Sequence, residues 1–310
     1  MSIQQAPKLS VCTPTRNRPE TLLRCINSLK HLKHILFEII VLDDASEVPV
    51  ADYLFDRVDP ELVSRITLLR NETNAGATAA RNRITQLAKA PFVLGIDDDA
   101  ELPNSETIEA ALKVLEADPN VGAIAFSQVR SNGELFPGQP AQHKYNCYVP
   151  WYIGYGRIIR RDLFIELGGY RENFGIFYEE PELCARMLDK GYYVVYLPDS
   201  GIIHHHSSIG RDGLKCLSNS YRNKCYAAIY NQPLPMMVVT IPLYILLYFW
   251  AHRKLYSSSK KQRERGVRWL IGELRDAAQS IYAERKALKW STYYKLYKIK
   301  RERPKYQGVD

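Results

Sequence analysis

The sequence predicts an α/β domain built on a mostly parallel sheet with helices on both faces, followed by a C-terminal extension that is first apolar and then basic. Three observations predict it. Short apolar runs alternate with helical patterns through the first half of the chain, as strand–helix–strand units require. Polar and acidic clusters stand directly after several of these runs, at the strand ends where parallel sheets bind ligands. Charge is also unevenly divided. Residues 253–310 hold 17 Lys+Arg against 6 Asp+Glu, so the preceding part is slightly acidic within a chain of net charge +8.

The elements follow in order. Leu9–Thr13, Phe37–Leu42, Ile66–Leu69, Phe92–Ile96 and Val121–Phe126 read as buried strands, each bounded by polar or turn residues. Pro19 stands where a first helical residue belongs, and Leu22, Ile26 and Leu29 continue at helical spacing. Asn82–Ala90 is a second helical stretch. Residues 131–155 carry Gly133, Pro137, Gly138, Pro140 and Pro150 and read as a long loop, a mobile or acceptor-facing segment. Helical patterning returns over 160–192 around Gly168-Gly169. The chain divides into a catalytic domain over 1–232 and a helical extension over 233–310, which would associate with a membrane or form oligomers. The six cysteines include no C-x-x-C pair and are expected to be reduced core residues. The polar start of the chain lacks the apolar stretch of a signal peptide, so a cytoplasmic location is expected.

Several clusters carry chemistry. Thr13-Pro14-Thr15-Arg16-Asn17-Arg18-Pro19 follows the first strand and on its own is an ordinary strand-to-helix turn. Asp43-Asp44-Ala45-Ser46 ends the second, where a carboxylate can cap the next segment or accept hydrogen bonds from a nucleobase or ribose. Asp97-Asp98-Asp99 ends the fourth. Three adjacent carboxylates repel unless a counter-ion gathers them, and a hard divalent cation is the natural one. The spacing Asp97-x-Asp99 puts two of them on one side of an extended segment. Glu179-Glu180-Pro181-Glu182 opens a helix. Its dipole accounts for one or two glutamates, and one partly desolvated glutamate could serve as a general base. His204-His205-His206 follows another apolar run. Neighbours on an extended chain face opposite ways, so the three cannot all be core, and imidazole is a common metal ligand.

Taken in order, V-C-T-P-T-R-N-R-P, V-L-D-D-A-S, N-A-G-A-T-A-A-R-N, G-I-D-D-D-A, G-G-Y-R-E-N-F, Y-E-E-P-E-L-C-A-R and H-H-H-S-S resemble the motifs of family-two glycosyltransferases with the GT-A fold, over roughly Leu9 to Ser208. The resemblance implies a single catalytic domain on a Rossmann-like sheet. It implies that Thr13, Thr15, Asp43, Asp44, Gly76 and Arg81 line the pocket of a UDP- or dTDP-sugar, with Gly76 permitting close backbone approach. Asp97, Asp98 and Asp99 would meet the diphosphate. Asp97 and Asp99, with His204 or His206, would bind Mn2+ or Mg2+, and Glu180 would be the catalytic base. Two departures stand out: the base position has Glu180 in an E-E pair where the family usually has E-D, and Ile84 stands where a Gly often follows A-R-N-x.

The resemblance implies inverting transfer of a sugar to a glycan or lipid-linked acceptor hydroxyl in cell-surface polysaccharide or glycolipid assembly, with no nucleic-acid partner. The alternatives are a non-catalytic sugar-nucleotide or glycan-binding module, and a nucleotidyltransferase. The second usually brings a glycine-rich phosphate loop, which T-P-T-R-N-R-P is not. The extension is read from physics alone. Leu234–Trp250 is uncharged but interrupted by Pro235 and Pro242, and shorter than the ~20 residues a span needs. A peripheral position at the inner face is expected, the segment entering one leaflet and returning or lying in the interface, with burial against the domain or in a homo-oligomer interface as the alternative. Leu270, Leu274, Ala277, Ile281 and Leu288 would form one apolar stripe among Arg268, Arg275, Lys286 and Lys289, as in an interfacial helix.

Overall fold

The computed structural model describes residues 6–137, 139, 145–205, 213–255 and 260–308. In chain order the elements are β1 (Leu9–Thr15), α1 (Pro19–Ser28), β2 (Phe37–Asp43), the single turns α2 (Ala51–Leu54) and α3 (Pro60–Val63), β3 (Ile66–Arg70), α4 (Ala77–Leu87), β4 (Phe92–Ile96), β5 (Ala100–Glu101), α5 (Glu106–Ala117) and β6 (Val121–Val129). There follow β7 (Cys147–Val149), β8 (Gly156–Arg160), α6 (Arg161–Glu166), α7 (Glu179–Asp189), β9 (Tyr193–His204), α8 (Gly213–Asn231), α9 (Leu234–Leu255), α10 (Lys260–Ala283) and α11 (Trp290–Glu302).

The strands form one curled sheet in the order β3-β2-β1-β4-β8-β6-β9-β5, with β7 also on β9. Strands β3, β2, β1 and β4 run parallel, as do β6 and β9, while β8 is antiparallel to both its neighbours. The first half thus matches the expected mostly parallel sheet. Every residue of β4 is buried because helices cover both faces. On one side Leu22 and Ile26 of α1 and Ile108 and Leu112 of α5 pack with Val11 and Leu94. On the other, Ile84 of α4, Phe164 of α6 and Leu183 and Met187 of α7 pack with Cys12 and Val93. All six cysteines are free thiols and all but Cys216 are buried.

Three elements differ from the sequence reading. Helix α4 starts at Ala77, five residues before the expected Asn82, so Arg81 sits inside it. The expected long loop holds β7, and β8 begins directly after it. The apolar stripe of the basic tail faces inward: Leu270 and Ile281 are fully buried, and Leu274 and Ala277 pack against Phe174, Tyr226 and Tyr230. Leu288 is also buried but lies past the end of α10. This apolar face is therefore spent on α8 and the loop before α7, and is not available to lipid.

Beyond α11 the chain returns to the sheet. Lys305 bridges to Cys147, the Tyr306 amide donates to Asn146 O at 2.8 Å, and the Tyr306 hydroxyl lies 3.3 Å from Asp118 Oδ2.

Candidate functional site

The carboxyl ends of β1, β2 and β4 meet on one side of the sheet, and each brings its polar cluster with it. Residues alternate along β1, so Thr13 and Thr15 share the face of Val11 and point toward α1. Thr13 is fully buried, its hydroxyl beside the Cys25 thiol. Thr15 donates to Asp98 Oδ2 at 2.7 Å.

The two aspartates of the second strand are held by the protein itself. Asp43 accepts from the Ser46 amide at 2.8 Å, from the Val50 amide at 3.3 Å and from Arg70. Burial works to raise its pKa, but these donors, with the Ser46 hydroxyl, outweigh it and hold the carboxyl below its usual value. Asp44 takes Asn71 Nδ2 at 2.7 Å and the Ala75 and Gly76 amides at 2.9 Å each. A carboxylate offers about four lone-pair sites, so Asp44 keeps one for an outside donor. The requirement for glycine at Gly76 is conformational: its φ is +87° and open space surrounds the place a Cβ would occupy.

The third cluster forms a turn after β4, closed by the Ala100 amide donating to the Asp97 carbonyl at 3.1 Å. Asp98 turns toward α1, where it meets Thr15 and, at 3.1 Å, Arg18 Nη1. Burial, with the neighbouring Asp99 and Asp97 charges, raises its pKa to about 6 against the opposing pull of Arg18 and Thr15. Asp97 and Asp99 turn toward His204 of β9, although Asp99 Oδ2 stays 3.6 Å from Arg18 Nη1. Their carboxylate oxygens and a ring nitrogen of His204 all lie within 4.8 Å of one another.

Strand pairing brings His204 there. Ala100 of β5 lies opposite His204 of β9, which places Nε2 3.0 Å from Asp99 Oδ1. The ring stacks on Tyr155, with centroids 5.2 Å apart and planes 11° apart, and Nδ1 is 2.5 Å from the Gln128 carboxamide. A half-turn of that carboxamide presents its oxygen to an Nδ1–H, which leaves Nε2 as a lone-pair donor. Two carboxylates and one imidazole suit a hard or borderline divalent cation, and the stacked, buried ring is preset for it. His206 lies outside the described residues. His205 points away, to Glu101 at 2.7 Å.

Arg81 joins this group to α7. It donates to Asp97 Oδ1 at 2.8 Å and to Glu179 Oε1 at 3.1 Å. Burial opposes its charge, but Asp97, Glu179 and Glu180 together raise its pKa. The glutamates at the start of α7 then separate into three environments. Glu182 is fully buried and accepts from Arg186 at 2.6 and 2.8 Å, from Asn231 at 3.0 Å and from Arg171 at 3.1 Å. Glu179 is as deeply buried but has one guanidinium, Arg81, shared with Asp97; it also meets its own amide and the Glu180 carboxyl, and its Oε2 lacks a partner. Burial and the Glu180 charge lift its pKa to about 8 against the pull of Arg81. Glu180 is half-buried and rests against Gly154, where any Cβ would strike its Oε1 and crowd Arg81.

The loop that presents these glutamates is strained. Gly175, Phe177 and Tyr178 have φ of +68°, +75° and +71°, costly for the two aromatic residues. Asn223 of α8, fully buried, holds it by donating to the carbonyls of Phe174, Ile176 and Phe177 at 2.9, 3.0 and 2.6 Å. Asn223, Arg18, Gln128 and Gly154 were missed by sequence reasoning. Arg18 had a signal, since it stands in the turn after β1, but the other three lie far along the chain from what they support.

Comparisons agree with this geometry. The family model described as Glycosyl transferase family 2 matches residues 10–180. The chain is 36% identical over 110 residues to the putative colanic acid biosynthesis glycosyl transferase WcaA of Escherichia coli K12, covering 34% of this chain and 38% of that one. It spans about half the length, or less, of the curated relatives it matches. Among solved structures it resembles S. aureus TarS 1-349 in complex with UDP-GlcNAc, at TM-score 0.64 and 16% identity, covering 97% of this chain and 93% of that one. It also resembles the mannosyltransferase PcManGT from Pyrobaculum calidifontis in complex with GDP-Man and Mn2+, at TM-score 0.57 and 16% identity, covering 95% and 79%. These likenesses establish the GT-A fold.

Proposed function

The chain belongs to glycosyl transferase family 2, and we propose that it is an inverting glycosyltransferase that moves a sugar from a UDP- or dTDP-sugar to an acceptor hydroxyl in polysaccharide or glycolipid assembly. The observation that carries this reading is the convergence of Asp97, Asp99 and His204 within 4.8 Å beside Arg81 and the glutamates of α7. Relatives named for colanic acid and O-antigen biosynthesis support the pathway class. The TarS complex with UDP-GlcNAc supports a uridine donor.

Asp97, Asp99 and His204 would hold Mn2+ or Mg2+, which when bound neutralises the leaving diphosphate. The PcManGT complex with Mn2+ supports that choice of ion. The remaining lone pair of Asp44 accepts from the base N–H, while Thr13, Thr15, Asp43 and Asp98 brace this floor from beneath. Arg81 holds Asp97 and Glu179 in place and keeps positive charge next to Glu180. Glu180 takes the acceptor hydroxyl proton on its carboxylate as the oxygen attacks the anomeric carbon from the side opposite the leaving group. The bond to the diphosphate breaks as the new bond forms, so the anomeric configuration inverts and no enzyme-bound sugar arises. Most of the acceleration comes from holding the partners in line. The enzyme works at the inner face of the cell membrane, and α9 is its contact: Leu234–Arg253 is an apolar stretch of 20 residues of which all but Tyr248 and His252 are at least partly exposed.

A nucleotide-sugar panel with Mn2+ tests this. Expected is release of nucleoside diphosphate and a product of inverted anomer by NMR, with both lost in Asp99→Ala while the folded state persists. Pyrophosphate release, or donor binding without turnover under any acceptor, would overturn the reading.

A further inference from the structure

Helix α9 has two unlike faces. Tyr248 and His252 are buried, and Met237 and Ile241 pack on the Phe174–Tyr230 cluster. The Tyr248 hydroxyl lies 3.0 Å from Ser218 Oγ of α8. With one side committed to α8 and α10, the helix cannot cross a bilayer surrounded by lipid. Its other side, at Val239, Leu243, Leu246 and Trp250, is 47–68% exposed and aliphatic for three turns.

Helix α11 has the same division with different chemistry. Thr292 and Ile299 are buried against the domain. Trp290, Tyr294 and Tyr297, at positions i, i+4 and i+7, are 56–60% exposed. Cations lie on these rings: Lys298 Nζ is 5.3 Å from the Tyr294 centroid, and Arg301 is 5.9 Å from that of Tyr297. Among its 13 residues Lys295, Lys298, Lys300 and Arg301 face a single acid, Glu302. Tyr178 lies between the two helices, hydrogen-bonded to Tyr244 of α9 and within charge range of Tyr293 of α11.

We propose that α11 is an interfacial helix for anionic lipid, its aromatic rings seated at headgroup level and its cations on headgroup phosphates, beside the aliphatic face of α9. Aromatic rings flanked by Lys and Arg at the border of an apolar surface match the chemistry of a membrane–water interface. A second copy of the chain fits worse, because two-fold pairing through this face sets its cations against themselves. The proposal rests on the membrane contact proposed above for α9 and assigns the charge-dependent half of it to a different helix. It also moves that half away from α10, whose apolar stripe is buried.

Sedimentation of the full chain with vesicles tests it. Vesicles of equal phosphatidylglycerol and phosphatidylcholine should bind about tenfold more protein at low salt than phosphatidylcholine alone, and salt should remove the difference. The triple change Trp290→Ala, Tyr294→Ala, Tyr297→Ala lies on an exposed face. It should cut binding to the anionic vesicles about tenfold with thermal midpoint and donor turnover unchanged. If the triple variant binds as the parent does, α11 is not the contact, whereas the α9 reading survives. Protein that stays in the supernatant with both vesicle types overturns both. A dimer in size-exclusion chromatography that the triple variant abolishes, or binding to heparin without binding to vesicles, overturns the lipid assignment. None of these outcomes bears on sugar transfer, which is read separately.

Discussion

Glu179 and Glu182 stand three residues apart in the first turn of one helix, and both are about 1% exposed. Their carboxyls nevertheless shift in opposite directions. Burial pushes up on both. At Glu182, Arg186, Arg171 and Asn231 overcome it and hold the carboxyl below its ordinary value. At Glu179 the single shared Arg81 does not, and the carboxyl rises to about 8. Depth therefore does not distinguish a structural acid from one in a reacting site; the supply of N–H donors does. Asp43, likewise buried, is held by donors of its own loop.

The strongest way to break the contrast is to remove the saturated partner. Glu182→Ala leaves the half-buried Arg186 without its carboxylate, Arg171 with Glu284 alone and buried Asn231 without its acceptor, so a loss of about 3 kcal/mol in stability is expected by chemical denaturation. A stable Glu182→Ala protein that has lost turnover would mean the residue serves chemistry. Glu180→Gln should do the reverse. Unfolding and donor binding should stay near those of the parent, while turnover falls ~10²-fold, close to 2.7 kcal/mol in the barrier. If Glu179→Gln is the crippling change, the base is Glu179.

The smallest effect sharpens the contrast by pH. A carboxyl raised from 4.5 to about 8 binds its proton more tightly in the folded chain than in the unfolded one. Its contribution to stability is fully present below about pH 4.5 and is lost as pH rises toward about 8. Glu182, being lowered, contributes stability above its unfolded value that disappears as acid is added. Glu179→Gln should flatten the decline in thermal midpoint between about pH 5 and 8 and leave the acid limb unchanged. An unaltered decline in that variant would assign it to another group, and Asp98, raised to about 6, is the first to examine.

The parallel half of the sheet was legible because a strand covered on both faces must be apolar throughout, and Phe92–Ile96 is. Strand β8 was less legible, since Gly156-Arg157 places a buried guanidinium at its start and breaks the apolar run. In the site, Asp97 and Asp99 do come together, but across a turn closed by the Ala100 amide, where their spacing alone predicts an extended segment. The choice of His204 depended on the β5–β9 register, fixed by residues about a hundred positions apart. The periodicity of the basic tail was real, but it specifies only that a face is apolar. Whether lipid or protein covers it depended on where α8 and Phe174 lie.

The bond between Tyr306 and Asp118 spans 188 residues. A ribosome adding about 5–20 residues per second needs roughly 10–40 s to cover that interval. Within it β7 is made and then waits for Lys305, and α9 is complete at Leu255 before that partner arrives. During synthesis, then, α9 emerges before β7 gains its last partner, so an exposed apolar helix face precedes the final closure of the sheet.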